Sequence, residues 1–234
     1  MKKNYVEING VRSETINGLL ISELPPISKP LMRSEIEEID GMDGAVVTKL
    51  GYSCYEREMV VGLFGDYDID EVIKFFAQDG EIIFSNEPDK KYRFQMLSEI
   101  DFERLGKFRT GVVTFYVEPF KYSAVDETMD VTPTGNSLEI WNNGNIASKP
   151  KLTLYGTGTV SLTLRNSVIL VIAIGSNGYI TIDAEKMEAY KGDVLKNRSV
   201  AGNYDDLRLD CGKNLLSWSG YITRIIVENR SRWI

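Results

Sequence analysis

Apolar and polar positions alternate along most of the chain in short runs separated by glycine, proline and asparagine, a pattern typical of β-strands. The most continuous run extends from Thr110 to Tyr122, and its centre, Val112 to Val117, contains only β-branched and aromatic residues. Gly111 opens this run. Pro119 is expected to close it, because proline has no backbone N–H to donate within a sheet. We therefore predict a strand here, and the chain changes character just beyond it.

The first half contains one segment with helical periodicity. Its apolar residues recur at the spacing that places them on one face of a helix, and they are Ile69, Val72, Ile73 and Phe76. Asp68 is the expected N-cap, with Glu71 as its capping-box partner, and Gly80 is the expected C-cap. The other apolar runs of this half predict strands. Its fold class is therefore α+β, with strands and one short helix.

Two turns interrupt the strands of the first half. Asn9 and Gly10 favour a tight hairpin turn. Gly41 and Gly44 bracket a second turn that contains Asp43, and two glycines so close together predict a backbone with positive φ. A phosphate-binding loop is not predicted there, because no Gly-Lys-Ser/Thr pattern follows.

The second half has a different pattern. Residues 126–136 are polar and lack periodicity, so we expect a linker there. Residues 137–234 consist of short apolar runs separated by glycine and asparagine turns, with no helical pattern, which predicts a β-sandwich. Trp141 and Trp218 are expected to pack inside it. The predicted protein is therefore mainly β, with an α+β domain followed by a sandwich.

Composition narrows the possible chemistry. A length of 234 residues suits one large β domain or two domains of ordinary size. The absence of histidine excludes histidine-based triads, general bases and metal ligands. Cys54 and Cys211 lie far apart in the sequence, and we expect free, buried thiols of a protein made in a reducing cytoplasm rather than a disulfide between them. The N-terminus lacks the apolar core of a signal peptide. The longest apolar run, Val168 to Ile174, is too short to span a bilayer.

The net charge of −7 is unevenly distributed. Residues 1–125 carry 15 Lys and Arg against 22 Asp and Glu, whereas residues 126–234 carry 12 of each. An acidic surface attracts neither nucleic acid nor anionic membranes. We therefore expect the first half to bind neither of them, and a contribution to solubility is sufficient to account for its charge.

Several motifs occur in an order that is similar to one phage protein family. The turn from Gly41 to Gly44 comes first, and then a short helix precedes the strand that ends Glu118-Pro-Phe-Lys-Tyr122. The run from Ser137 to Asn145 opens the all-β half, and Ile180 to Asp183 and Cys211 to Asn214 follow. This order resembles the distal tail (Dit) proteins of long, non-contractile-tailed phages that infect Gram-positive bacteria. The positions that carry it best are Gly41, Asp43, Gly44, Pro119, Phe120 and Tyr122.

The resemblance implies a structural virion protein. Residues 1–125 would form a hexameric ring, or belt, residues 126–136 a linker, and residues 137–234 a galectin-like sandwich outside the ring. The ring would be the hub between the tail tube, the tail-tip protein and the receptor-binding proteins. DNA would pass through its lumen without specific binding, and acidic residues suit such a lumen because they repel the duplex. No catalytic residue, cofactor, metal or membrane contact is implied, and the residues of the ring interface are not identified. The protein would be made in the cytoplasm of the bacterial host and function at the phage tail tip.

Two other functions remain as alternatives. A carbohydrate-binding adhesin would use the sandwich and its tryptophans, and saturable sugar binding by residues 137–234 alone would favour it. A glycosidase would need two converging carboxylates. Asp205 and Asp206 do not supply them, since neighbouring residues on a strand point to opposite faces.

Overall fold

A computed structural model describes residues 3–234, apart from the side chains at positions 102–104 and 177. The protein is mainly β, as predicted. It divides into two compact units, the first extending to Ala124 and including Ile234, and the second formed by Val125–Trp233. Within the described residues, neither α-helix has the length and apolarity needed to cross a membrane.

The first unit contains nine strands and two helices. Its strands are β1 (Val6–Ile8), β2 (Val11–Arg12), β3 (Leu19–Glu23), β4 (Met32–Glu37), β5 (Val46–Tyr52), β6 (Tyr55–Leu63), β7 (Gly80–Phe84), β8 (Lys90–Gln95) and β9 (Thr110–Ser123). Its helices are α1 (Ile69–Phe76) and α2 (Phe102–Phe108), and a 3₁₀ turn lies at Ser13–Thr15. Seven strands form an antiparallel sheet in the order β2-β1-β7-β8-β9-β6-β3, whereas β4 and β5 pair only with each other.

The core of the first unit lies between one face of the large sheet and α1. Phe115 of β9 is fully buried at its centre, with its ring centroid 6.3 Å from that of Phe76, 6.0 Å from that of Phe84 and 5.3 Å from that of Phe94. The side chain of Asp68 accepts hydrogen bonds from the first turn of α1. The predicted helix and its N-cap are therefore confirmed. Of the predicted stripe, Val72 and Phe76 are buried and Ile69 and Ile73 are half-buried, whereas Phe75, which was not predicted, is buried as well.

Two predictions for the helices of the first unit differ from the structure. The helix α1 ends at a C-cap on Ala77, and Gly80 instead opens β7, where its lack of a side chain leaves room for Asn9. A second helix, α2, was not predicted. It is short and contains Gly106, so its sequence carries little helical signal.

Pro119 does not end the central strand. It lies within β9, in a bulge where residues 118–120 face the single residue Arg93 of β8. On the other side, β9 pairs with β6 only as far as Val117. The missing N–H of Pro119 therefore removes no hydrogen bond from either neighbouring strand.

The second unit is one strongly bent antiparallel sheet. Its strands are β10 (Thr128–Val131), β11 (Ser137–Asn142), β12 (Lys151–Leu164), β13 (Ser167–Asp183), β14 (Glu188–Lys191), β15 (Val194–Leu195), β16 (Val200–Gly202) and β17 (Gly212–Glu228), with 3₁₀ turns at Asn197–Ser199 and Tyr204–Asp206. A further short strand, β18 (Arg232–Trp233), is not part of this sheet. The order is β10-β17-β12-β13-β14-β15, with β11 added to β17 and β16 added to β13. Residues 126–136, treated above as a linker, include β10.

The three long strands bend at glycines, so that the two halves of the sheet enclose one core. The register between β12 and β13 shifts at Gly156 and Gly158, opposite Gly175 and Gly178. Residues from both sides of the bend, such as Leu154 and Leu162, belong to the same buried cluster. This arrangement gives the two-layered packing expected of a sandwich.

Two expectations about side-chain burial are wrong. Cys54 and Cys211 are free, as predicted, but both are exposed, because each lies in a short connection just before a long strand. Trp218 packs in the core, whereas Trp141 is 57% exposed. Trp141 points outward from β11 because its neighbours Ile140 and Asn142 take the inward positions.

Candidate functional site

The hairpin of β4 and β5 is the most unusual feature of the first unit. It forms a separate two-stranded sheet, and its described apolar side chains contribute nothing to the buried core. Seven large apolar residues on it or beside it are at least 41% exposed, namely Leu31, Ile36, Ile39, Met42, Val46, Val47 and Leu50. Isolated single apolar residues on a surface are ordinary, but a concentration of seven on one hairpin indicates an interaction surface.

The strand register brings two of these residues together. Ile36 is the direct partner of Val47, so both side chains lie on the same face, where they are 67% and 55% exposed. A two-stranded hairpin is marginally stable in water without a packing partner. The face that carries Ile36 and Val47 is therefore suited to contact another surface.

The glycine turn identified in the sequence forms the tip of this hairpin. Gly41 and Gly44 have φ values of 83° and 91°, as their spacing predicts. Residues 38–45 are all exposed, and Asp43 lies between the glycines. The turn's acidic residues are Glu38, Asp40 and Asp43. The tip is therefore both acidic and accessible.

A buried arginine holds the segment that leads into the hairpin. Arg57 of β6 is 2% exposed, and its Nη2 donates to the carbonyl oxygens of Pro25 at 3.3 Å and Pro26 at 2.9 Å. The side-chain amide of Asn86 donates to the same Pro25 oxygen at 3.0 Å. Both prolines lack an N–H and precede the hairpin by a few residues. The carbonyl groups of this segment are therefore fixed by side chains rather than by a strand ladder.

Arg57 belongs to a buried polar network that spans three strands. It donates to the hydroxyl of Tyr92, which donates to Glu87, and Lys121 Nζ donates to Glu87 Oε1 at 2.8 Å. Burial opposes ionisation of Glu87, but hydrogen bonds from Lys121 and Tyr92 outweigh it and lower its pKa. Burial raises the pKa of Tyr92. Glu87 is therefore ionised and neutralised by its neighbours at neutral pH.

The remaining motif residues, those on β9, lie beside the base of the hairpin, opposite its glycine turn. The ring of Phe120 packs edge-on against that of Tyr52, the last residue of β5, with 5.5 Å between centroids. Tyr122 is 5% exposed, and the guanidinium of Arg93 lies 4.2 Å above its ring centroid. The structure thus places Gly41, Asp43 and Gly44 at the hairpin tip. Pro119, Phe120 and Tyr122 lie on the strand that supports its base.

Across the described residues, no group of three potential metal ligands was found. Asp205 lies in an exposed 3₁₀ turn and pairs with Lys149 at 2.8 Å. The site in the first unit therefore has the properties of an assembly surface: exposed apolar side chains on a hairpin whose base is fixed by buried charge.

Sequence comparison gives no relative for this chain. No family model matches it, and no curated protein does. Structural comparison does find similar proteins. The crystal structure of the Dit protein (gp 19.1) of phage SPP1, described as a paradigm of the hub adsorption apparatus in phages infecting Gram-positive bacteria, has a TM-score of 0.66 and 20% identity, covering 97% of this chain and 99% of that one.

Two structures of the phage P2 baseplate in its activated conformation, with Ca and with Sr, are more distant. Their TM-scores are 0.47 and 0.48, at 11% identity and with at least 96% of each chain covered. The fold assignment rests on the first comparison alone. Over nearly its whole length, the chain has the fold of a phage distal tail protein.

Proposed function

We propose that this protein is the hub of a phage baseplate, a structural component of the virion tail tip. The observation that carries the proposal is the likeness to the SPP1 Dit protein, which extends over 97% of the chain and includes both units. A match of that extent reproduces the order of the two units as well as their separate folds. The hub connects the tail tube to the tail-tip protein and to the receptor-binding proteins, and it acts without catalysis.

The first unit, residues 1–125, forms the ring in this proposal, and six copies close it. The hairpin of β4 and β5 supports this role, since it offers an apolar face centred on Ile36 and Val47 that only a partner could bury. The occupant is a second copy of the chain. Each copy then uses its hairpin on the next one, which is the head-to-tail contact that generates closed rings.

Charge supports the passage of DNA through such a ring. The face of the large sheet opposite the core carries Glu56 and Glu58 on β6, whereas residues 57 and 59 point inward. Glu118 of β9 lies on the same face and pairs with Arg93 at 3.7 Å. A lumen lined by carboxylates repels the phosphates and lets the duplex pass without specific binding. The second unit, with residues 137–234 as its galectin-like part, is then available to other tail proteins.

Substitution of the hairpin tests this proposal. Ile36→Asp places a charge on the apolar face and should leave a monomer that melts at the temperature of the parent monomer. Leu97→Asp is the matched control, because both side chains are 67% exposed and both belong to the first unit. Size-exclusion chromatography with light scattering distinguishes the outcomes. Assembly of Ile36→Asp that is equal to that of the parent would contradict a role for the hairpin in the ring.

A further inference from the structure

A notch in the second unit has the features of a ligand site that the hub function does not use. It lies along the edge of β13, which pairs with β16 at residues 170–172 and with β14 at residues 181–183. Between these two pairings, residues 173–180 are paired only with β12. The notch has a volume of about 280 Å³, room for one small polar unit, and its walls include Tyr179, Lys191, Lys196 and Ser199.

The two lysines give the notch an uncompensated positive charge. Lys191 and Lys196 are both exposed, and neither forms an ion pair with any residue that the structure describes. Three of the other four lysines of this unit form ion pairs: Lys149 with Asp205 at 2.8 Å, Lys151 with Glu228 at 2.5 Å and Lys213 with Glu139 at 2.5 Å. Two unpaired ammonium groups and a hydroxyl around one notch provide donors for an anion.

One of these lysines is held in place. The ammonium of Lys191 lies 5.4 Å from the ring centroid of Tyr179, a cation–π contact. It also lies over Gly178, where a β-carbon would approach it to 2.9 Å. Because Gly178 has no side chain, the side chain of Lys191 can lie across β13. Its position is therefore defined before any ligand binds, which lowers the entropic cost of binding.

Aromatic rings extend the notch across the sheet. Tyr179 is the cross-strand partner of Tyr155, with 5.2 Å between ring centroids, and the guanidinium of Arg224 lies 5.1 Å from the ring of Tyr155. Together with Lys191 they form a row over four neighbouring strands, in which Arg224 is already ion-paired with Asp130 at 2.6 Å. Aromatic faces suit the C–H groups of a sugar or polyol, and Lys191 at the other end of the row suits its charged groups.

We propose that this row and notch bind a chain of sugar or polyol units linked by phosphate. Lys191, Lys196 and Ser199 hold one phosphate in the notch, and Tyr179 and Tyr155 contact the carbon skeleton of the neighbouring unit. Lysine suits phosphate as a compact, strongly charged donor. The proposal concerns residues of the second unit only and does not depend on the ring.

Calorimetric titration of the full chain with poly(glycerol phosphate) tests it. We expect saturable binding that weakens as salt rises, and a loss of about tenfold in affinity for Lys191→Ala and for Lys196→Ala. Lys213→Ala removes the same charge from the same unit outside the notch and should bind like the parent. No saturable binding, or an equal loss in Lys213→Ala, would overturn the site.

Two further probes distinguish the contacts with phosphate from the contacts with the aromatic rings of Tyr179 and Tyr155. Inorganic polyphosphate carries charge without a carbon skeleton, so it should bind more weakly than poly(glycerol phosphate) and should not respond to Tyr179→Ala. The same variant should weaken binding of poly(glycerol phosphate). Equal affinity for the two polymers would overturn the assignment to a sugar or polyol phosphate, and neutral dextran that binds as tightly would overturn the need for phosphate.

Discussion

Arg57 on the central sheet donates a hydrogen bond of 2.9 Å to the carbonyl oxygen of Pro26, at the start of the segment that leads to the exposed hairpin. This bond links a buried arginine to the segment that leads into the exposed hairpin. The buried core therefore fixes the segment from which the hairpin extends. If the hairpin carries the ring contact, the buried network around Arg57 determines where each copy meets the next.

Arg57→Met should therefore affect both stability and hairpin order. The substitution keeps the volume but leaves the oxygens of Pro25 and Pro26 and the hydroxyl of Tyr92 without this donor, at a cost of about 2–4 kcal/mol. Chemical denaturation measures the loss, and hydrogen exchange should rise in residues 27–53. Arg12→Met removes an arginine whose side chain is 53% exposed and should leave the denaturation midpoint nearly unchanged. Equal midpoints for all three proteins would show that the network does not stabilise the fold.

Phe76→Asp should unfold the first unit and leave the second one folded. Phe76 is fully buried against Phe115, and an unpaired carboxylate there costs several kcal/mol, of the order of the stability of a whole domain. Phe108→Asp is the control, since Phe108 is 62% exposed in the same unit. Calorimetry should show one of two transitions missing for Phe76→Asp only. Two intact transitions in that variant would contradict the packing of α1.

Acid should weaken the second unit through Asp183. Burial opposes ionisation of this carboxyl, but the guanidinium of Arg230, at 2.9 and 3.0 Å, and two backbone N–H groups outweigh it and lower its pKa. A carboxyl with a lowered folded pKa stabilises above its unfolded pKa of about 3.9, and this contribution disappears as pH falls through the folded value. Asp183→Asn should therefore be less stable than the parent at neutral pH, and this difference should shrink as pH falls below about 4. A difference that stays constant across that range would contradict the assignment.

The boundary between the units can be tested with fragments. A fragment of residues 125–234 retains β10, which pairs with β17, whereas a fragment of residues 137–234 lacks it and exposes that edge. We expect both to be folded by circular dichroism, with a lower melting temperature for the shorter one. If residues 125–234 are unfolded alone, the proposed domain division is wrong.

Salt should strengthen assembly of the ring. Six first units, each with a net charge of −7 over residues 1–125, repel one another, and screening reduces this repulsion once the Debye length falls to about 8 Å at physiological salt. Light scattering across a salt series should show the average mass rising from low to physiological ionic strength. A mass that falls over this range would show that attraction between charges, rather than apolar contact, holds the copies together.

Local signals in the sequence were sufficient for much of the fold. Asn9 and Gly10 predicted the first hairpin, and Asp68 with a four-residue apolar stripe predicted α1. These predictions were possible because turns and helix caps depend mainly on neighbouring residues. The prediction that Pro119 ends its strand was wrong, because proline ends a strand only where a neighbouring strand needs its missing N–H. The outward position of Trp141 depends in the same way on the pairing of its strand.

The buried polar network around Arg57 could not be predicted from the sequence. Arg57 meets Tyr92 and Lys121 meets Glu87 across separations of 35 and 34 residues. Such pairs are defined only by strand register, and nothing in the local sequence distinguishes these charges from those on the surface. The glycine turn and the strand of Pro119 were identified, but their placement at the tip and base of one hairpin was not.

The mass of the assembled protein tests the central claim most directly. Native mass spectrometry of the full chain at physiological salt should give six times the 26.4 kDa of one chain, and negative-stain microscopy of the same sample should show rings. Ile36→Asp should give the mass of a single chain under the same conditions. A parent protein that remains at 26.4 kDa at every concentration and ionic strength would contradict the ring, and with it the proposed hub.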